Sequence, residues 1–519
     1  MTFPTPASTA APHRANSRQW TALVLLMLPV LLISVDNTVL SFALPAISRE
    51  LRPSGTTLLW IVDIYPLVLA GLLVAMGTLG DRVGRRRLLL IGSTGFALIS
   101  AAAAFAPTAE LLVLARGMMG LFGAALMPST LSLLRSIFLD PRQRTLAIAV
   151  WAGGFAAGSS LGPIVGGILL QHFPWGSVFL LAVPILIPLL VFGPWLIPES
   201  RDPQPGRIDY PSIVLSLLAL APLVFAVKTL SHDSITVVGV VALLVGAVST
   251  VIFVRRQRRI SNPLLDLELF AHGPFAGSVL ANFLSVFSLV GFLFFISQHL
   301  QLVLGLEPLA AGLLLVPGAV VGIVAGLLAA IVVRRLARRA VIIIGLLTTT
   351  AGFVMIIVLR NDLNALSVAI AFSVLSIGIS TAETISNDTI LGSVPPEKAG
   401  AASGISETAY ELGAVLGTAV LGAILSAFYR ANVVVPMLPS SADAAATGAR
   451  ETLGGAIALS ETLPQATAAP LIDSARAAFD SGVGATSAIA VILLLVAAVV
   501  IYRSMRPAPV LPRESISGH

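Results

Sequence analysis

Fourteen apolar stretches, each long enough to cross a bilayer, alternate along this chain with short polar connections, and no other feature constrains the fold as much. They centre on residues 20–44, 58–80, 88–106, 110–134, 145–170, 175–197, 209–230, 235–254, 274–297, 308–331, 341–359, 364–387, 399–427 and 483–502, numbered here as spans 1 to 14. A hydrocarbon layer of ~30 Å needs about 20 helical residues at 1.5 Å each. The alternation therefore predicts an all-α polytopic membrane protein. Of the 31 Lys and Arg, 23 lie in even-numbered connections or at the termini, among them Arg85–Arg87, Arg255–Arg259 and Arg334–Arg339. Seven lie in odd-numbered connections, and Arg116 lies inside span 4. Basic residues stay on the cytoplasmic side, so both termini are expected there and the span count is even.

Composition agrees: 56% of the residues are hydrophobic and 11% are charged, against roughly 25% charged in a soluble domain. The net charge of +6 is dealt into separate short loops, which argues against a nucleic-acid partner. Cysteine is absent, which excludes a disulfide framework, thiolate chemistry and Cys-based metal sites. Only Lys228 and Lys398 are lysines, a bias that points to a GC-rich bacterial genome. The first apolar run, from Trp20, is too long for a cleavable signal and is expected to insert and stay.

An internal repeat organises the chain. GTLGDRVGRRRLLLIG (Gly77–Gly92) between spans 2 and 3 has a weaker copy, AIVVRRLARRAVIIIG (Ala330–Gly345), 253 residues on. GPIVGGILL (Gly162–Leu170) in span 5 matches GTAVLGAIL (Gly417–Leu425) in span 13 at an offset of 255 residues. Spans 1–6 thus pair with spans 9–14. The expected units are a tail over 1–19, a six-helix bundle over 20–200, an inserted hairpin of spans 7 and 8 over 201–260, a second bundle over 261–506, and a tail over 507–519. Such halves let many secondary transporters alternate access, with substrate bound at the repeat interface near the midplane. The connection 428–482 is too long for a bare turn. Mild amphipathic spacing in ATGARETLGGAIALSETL and PLIDSARAAFDSGV predicts a short helical hairpin at the outer surface, with a disordered loop as the alternative.

An acid inside a span costs about 2.5–3.5 kcal/mol, so each one needs a reason. The candidates for proton or cation coupling are Asp36, Asp63, Glu383, Glu407 and Glu411, with Asp388 near a span end where solvation alone accounts for it. Glu407 and Glu411 lie one helical turn apart on one face. Two such carboxylates in low dielectric do not easily both ionise, so at least one is expected to hold a proton. Ion pairing is the alternative role, but one Arg116 does not neutralise several acids. Arg116 itself is either a snorkelling arginine or a buried charge acting on nearby carboxylates.

Gly158, Gly162, Gly166 and Gly167 with Pro163 give span 5 a small-residue face, expected to seal one half against the other. The connection carrying Gly77, Asp81, Arg82, Gly84, Arg85 and Arg86 is expected to gate the cytoplasmic side, with Asp81 latching to Arg82 or Arg86. Trp60, Tyr65, Phe287, Phe292 and Tyr410 are the aromatics placed to stack on delocalised cations, or else packing residues. No phosphate-binding Gly-rich loop carries either lysine, so no ATP and no other cofactor is expected. The six histidines are scattered and form no metal site.

These motifs resemble the fourteen-span drug:H⁺ antiporters of the major facilitator superfamily. GTLGDRVGRRR resembles the superfamily's loop 2–3 motif, and SVDNTVLSFALP (Ser34–Pro45) resembles the branch's span 1 motif, with Asp36 as its membrane acid. LARGMMGLFGAA resembles the span 4 motif whose arginine, here Arg116, is assigned to proton transfer. GSSLGPIVGG is similar to the span 5 motif of exporters, and SETAYELGAVLG (Ser406–Gly417) to the span 13 segment of multidrug exporters. One departure is Arg334 in the second copy where the first has Asp81, which weakens the idea of a symmetric latch. The resemblance implies a monomeric bacterial inner-membrane exporter, not an enzyme, that exchanges lipophilic cations for protons among the membrane lipids. A dedicated exporter of an endogenous antibiotic or metabolite would share every motif.

Overall fold

The computed structural model describes residues 15–201, 209–232, 236–260, 263, 265, 267–394, 399–436 and 443–505. Most of the expected N-terminal tail and all of the C-terminal one lie outside them. Inside a bilayer every backbone polar group must be paired within the protein, and a helix does this without leaving its own segment. The spans are accordingly helical: Ser17–Leu51, Gly55–Val83, Arg85–Ala103, Ala109–Ile137, Pro141–His172 and Ser177–Leu196 in the first half, then Tyr210–His232 and Val237–Gln257. The second half holds Gly273–Val303, Pro308–Val332, Arg338–Leu359, Ala365–Gly392, Ala399–Asn432 and Gln465–Ser504. Among the described residues 13 helices are long and apolar enough to cross a membrane, and span 5, a continuous helix of 32 residues, completes the fourteen.

Local chemistry sets the ends. Asn16 caps span 1 through a capping box with Gln19, and Ser54, Thr108, Thr236 and Asn364 cap spans 2, 4, 8 and 12. Asp140 caps span 5, whose first turn carries Pro141 where a missing N–H costs nothing. Gly84, at φ 113, turns span 2 into span 3 in a conformation that L side chains avoid.

The repeat seen in sequence is a repeat in space. Span 1 packs on 5, span 2 on 4 and span 3 on 6; in the second half span 9 packs on 13, span 10 on 12 and span 11 on 14. Across the halves, span 2 meets 13, span 5 meets 10 and span 1 meets 9. Span 7 lies over the seam between spans 2 and 13, where Leu67, Val224, Val415 and Ala419 form one apolar cluster. Asp209 at its base accepts from Arg256 at 2.7 Å and from Ser212, which fastens spans 7 and 8 together.

The connection 428–482 departs from expectation. Its first amphipathic segment forms two short helices, Asp443–Glu451 and Leu453–Ser460. The second is no separate arm, because Gln465–Ser504 is one helix of 40 residues that carries span 14 well beyond its apolar stretch. The two short helices sit at one end of the bundle, here the hairpin end; Ser17 and Ser504 mark the opposite, terminus end. Hydrogen bonds tie the halves together at the hairpin end. Gln301 Nε2 donates to the Phe42 carbonyl at 3.2 Å, Gln171 Nε2 to Glu307 at 3.0 Å, and the Gly55 N–H to Glu451 at 3.4 Å. Ser48 Oγ lies 3.4 Å from Thr452 Oγ1. At the terminus end, Arg135 of span 4 is exposed and Gly404 of span 13 faces open space.

Candidate functional site

The first half buries a charge pair. Arg116 NH1 donates to Asp36 Oδ2 at 2.6 Å, joining span 4 to span 1, with 1% and 6% of the two side chains exposed. Arg116 Nε donates to the Ile61 carbonyl of span 2, and the guanidinium lies 4.5 Å from the centre of the Tyr65 ring. Gly120 makes this approach possible, because a Cβ there would sit 2.6 Å from the Tyr65 carbonyl oxygen. Arg116 is thus a buried charge and does not snorkel. Asp63 is fully buried on span 2.

The second half supplies acids without an equivalent arginine among its described span interiors. Glu411 is 4% exposed and its Oε2 accepts no hydrogen bond. Glu407 and Glu383 are half-buried, and the charge of Arg135 on span 4 acts on Glu407. Asp388 is exposed and pairs with Arg338 at 2.9 Å, the solvated role open to it from the sequence. Between the halves lies a narrow cleft. Asn37, Thr38, Pro66 and Arg116 line it from the first half, Leu289, Tyr410 and Ala414 from the second.

Three expectations need correction. The glycine face of span 5 packs mainly within its own half: Gly158 abuts Ser34, Gly162 abuts Thr38 and Gly166 abuts Val39, all on span 1. Only its far end seals the halves, where Gly167 faces Leu309 and the Pro163 carbonyl faces Gly312 on span 10. Asp81 pairs with Arg85 at 2.8 Å, not with Arg82 or Arg86. Arg86 instead turns to the end of span 6, its backbone N–H donating to Glu199 at 3.0 Å and its side chain to the Pro194 and Ile197 carbonyls. Gly84 keeps this connection tight against Glu199, whereas a side chain at Gly77 would meet Pro128 only at ordinary contact distance. Of the five aromatics only Tyr410 lines the cleft. Tyr65 lies under Arg116, Phe292 stacks on Phe372 inside the second half, Phe287 is buried against Phe283 and span 13, and Trp60 packs on Phe225 of span 7.

Sequence reasoning passes over Glu199, Ser200 and Asn37. The first two follow span 6 directly in a Pro-Glu-Ser run and face the loop 2–3 arginines from 113 to 115 residues away. Asn37 stands beside Asp36, and its amide nitrogen is buried in the cleft wall without a partner.

Two repeated six-helix halves, closed on each other at one end around a central cleft lined by a buried charge, define a membrane carrier that moves solute by rearranging those halves. The chain belongs to the Major Facilitator Superfamily, whose family model matches residues 26–418. It is a multi-pass membrane transporter and not an enzyme. It is 59% identical to the multidrug efflux pump LfrA of Mycolicibacterium smegmatis, over 96% of this chain and 97% of that protein. It is 36% identical to the methyl viologen resistance protein SmvA of Salmonella typhimurium, over 92% and 97% of the two chains. Its fold matches a bacterial homolog of the human lysosomal transporter Spinster at a TM-score of 0.64 and 17% identity, over 96% of this chain and all of that one.

Proposed function

We propose that this protein exports lipophilic, mostly cationic drugs and dyes from the bacterial cytoplasm in exchange for protons, by alternating access of its two halves. It works as a monomer in the cytoplasmic membrane with both termini inside, draws on the proton gradient and uses neither ATP nor a cofactor. The observation that carries this reading is the asymmetry across the cleft. One wall holds Arg116 already paired with Asp36. Span 13, which lines the other wall with Tyr410 and Ala414, carries the buried Glu411 one turn from Glu407, and its single arginine, Arg430, stands at its far end next to Glu451. Carboxylates so placed accept a proton or a cation in turn, which is what exchange requires. The names of the Mycolicibacterium and Salmonella relatives support drug efflux, and methyl viologen is an organic cation.

Everted membrane vesicles test the proposal. Vesicles energised to an acid interior are expected to accumulate ethidium and to lose it when a protonophore is added. Accumulation that persists with the protonophore present would show that protons do not drive transport.

A further inference from the structure

In the second half, three helices are tied by a closed ring of side-chain hydrogen bonds. Asn282 of span 9 donates through Nδ2 to Ser406 Oγ of span 13 at 2.9 Å and to Asn387 Oδ1 of span 12 at 3.2 Å. Ser406 Oγ donates in turn to Asn387 Oδ1 at 2.9 Å. The donors and acceptors agree all round: one amide gives both hydrogens, one carbonyl oxygen accepts twice, and the hydroxyl does each once. Asn282 and Ser406 are buried, and Ser278 and Ser285 flank Asn282 on the same helix face, both fully buried. Amides are scarce in apolar spans because burying one without partners is costly; the ring pairs both amide hydrogens of Asn282, leaving its Oδ1 without a partner, and so favours one arrangement of its helices.

The ring sits beside the acids. Ser406 is followed by Glu407, and Asn387 lies one helical turn beyond Glu383. We propose that Asn282, Asn387 and Ser406 are positioning residues that hold spans 9, 12 and 13 as one body and thereby set the depth and facing of Glu407; this rests on the proton-coupled reading above. The charges acting on Glu407 are Glu411 on its own helix and Arg135 on span 4; of the helices packed against span 13, span 12 carries Glu383 and Asp388, the latter paired to Arg338, and span 2 carries Asp63 and Tyr65. Span 9 contributes no carboxylate, and its one histidine, His299, is engaged at the far end by Asp480. The ring therefore acts on Glu407 through geometry and not through charge.

The chain has no cysteine, so a single one reports without background. A Cβ added at Gly404 on span 13 would meet no neighbouring atom within 4 Å, which makes Gly404→Cys a tolerated reporter. The experiment measures maleimide labelling of that cysteine and the pH profile of ethidium export in proteoliposomes, with Ser406→Ala or Ser406→Thr added. Ser406→Ala is expected to change the labelling rate severalfold and to move the pH midpoint of export by at least about half a pH unit. Ser406→Thr keeps the hydroxyl and is expected to restore both. If the alanine protein does not reach the membrane, Asn282→Ser takes its place under the same criteria. An unchanged labelling rate, or a changed rate with an unmoved pH midpoint, overturns the proposal. If the unsubstituted protein exports ethidium without any proton dependence, the coupling reading fails, and the labelling rate alone then decides whether the ring positions span 13.

Discussion

At the scale of single residues, the Asp36–Arg116 pair dominates. Removing one member of a buried pair leaves an uncompensated charge and costs about 3–5 kcal/mol, whereas replacing both by neutral groups is often close to neutral. Asp36→Asn is therefore expected to abolish dye export and to lower the melting temperature of the purified protein, because Arg116 keeps its charge at 1% exposure. Asp36→Asn combined with Arg116→Gln is expected to recover most of the melting temperature but none of the export. Recovery of both would mean that the pair is only structural. The pair also shows where reading residues one at a time runs out. Asp36 and Arg116 each stand out by their position in an apolar run, but 80 residues separate them, and only the packing of span 1 near span 4 makes them partners. The same holds for Tyr65, whose ring faces an arginine and not the cleft.

At the scale of elements, the seam between spans 5 and 10 depends on two glycines. A Cβ on Gly167 would stand 2.7 Å from Leu309 Cα, and one on Gly312 would press on the Pro163 carbonyl. In a free helix Gly→Ala gains about 1 kcal/mol, but overpacking a close contact costs about 1–3 kcal/mol. Gly312→Ala is expected to slow export about tenfold by disfavouring this closed seam. Gly404→Ala, in open space, is the control expected to leave the rate alone. Equal rates in both variants, at matched expression, would remove the seam from the transport cycle. The spans are legible in the sequence because the length and hydropathy of a crossing are dictated by the bilayer, and the halves because the repeat survives in two motifs. What is not legible is direction. The stripe Gly158, Gly162, Gly166 says that something packs closely on span 5, and span 1 and span 10 are equally good partners until the bundle closes. Likewise PLIDSARAAFDSGV reads as amphipathic and the stretch after Val483 as apolar, but a helix passes from one to the other without a break.

For the molecule as a whole, the contacts between halves at the hairpin end imply that this end has to part once per cycle. Ser48 and Thr452 offer a direct test, since their hydroxyls are 3.4 Å apart and no other cysteine is present to confuse the chemistry. Oxidising the double variant Ser48→Cys/Thr452→Cys is expected to join span 1 to the second short helix and stop ethidium export, and a reductant to restore it. Export at the full rate by the cross-linked protein would show that the two short helices ride with span 1 throughout.

Span 13 is α-helical to Leu416, passes through a π turn at Gly417–Gly422 and resumes as Ala423–Asn432. Its counterpart in the repeat, span 5, has Pro163 at the matching place. A proline interruption is written into the covalent chain and stays put. A π turn is one surplus residue looped into a helix, and it disappears if the hydrogen bonds on either side shift by one, turning one segment about 100° against the other. The two arms of the carrier are thus hinged unlike each other. One carries a proline that removes a ladder hydrogen bond for good; the other can re-thread its own ladder, and that second arm is the one bearing Glu407 and Glu411 just before the turn. A transporter built on twofold repetition has in this way given its two copies different mechanical trades.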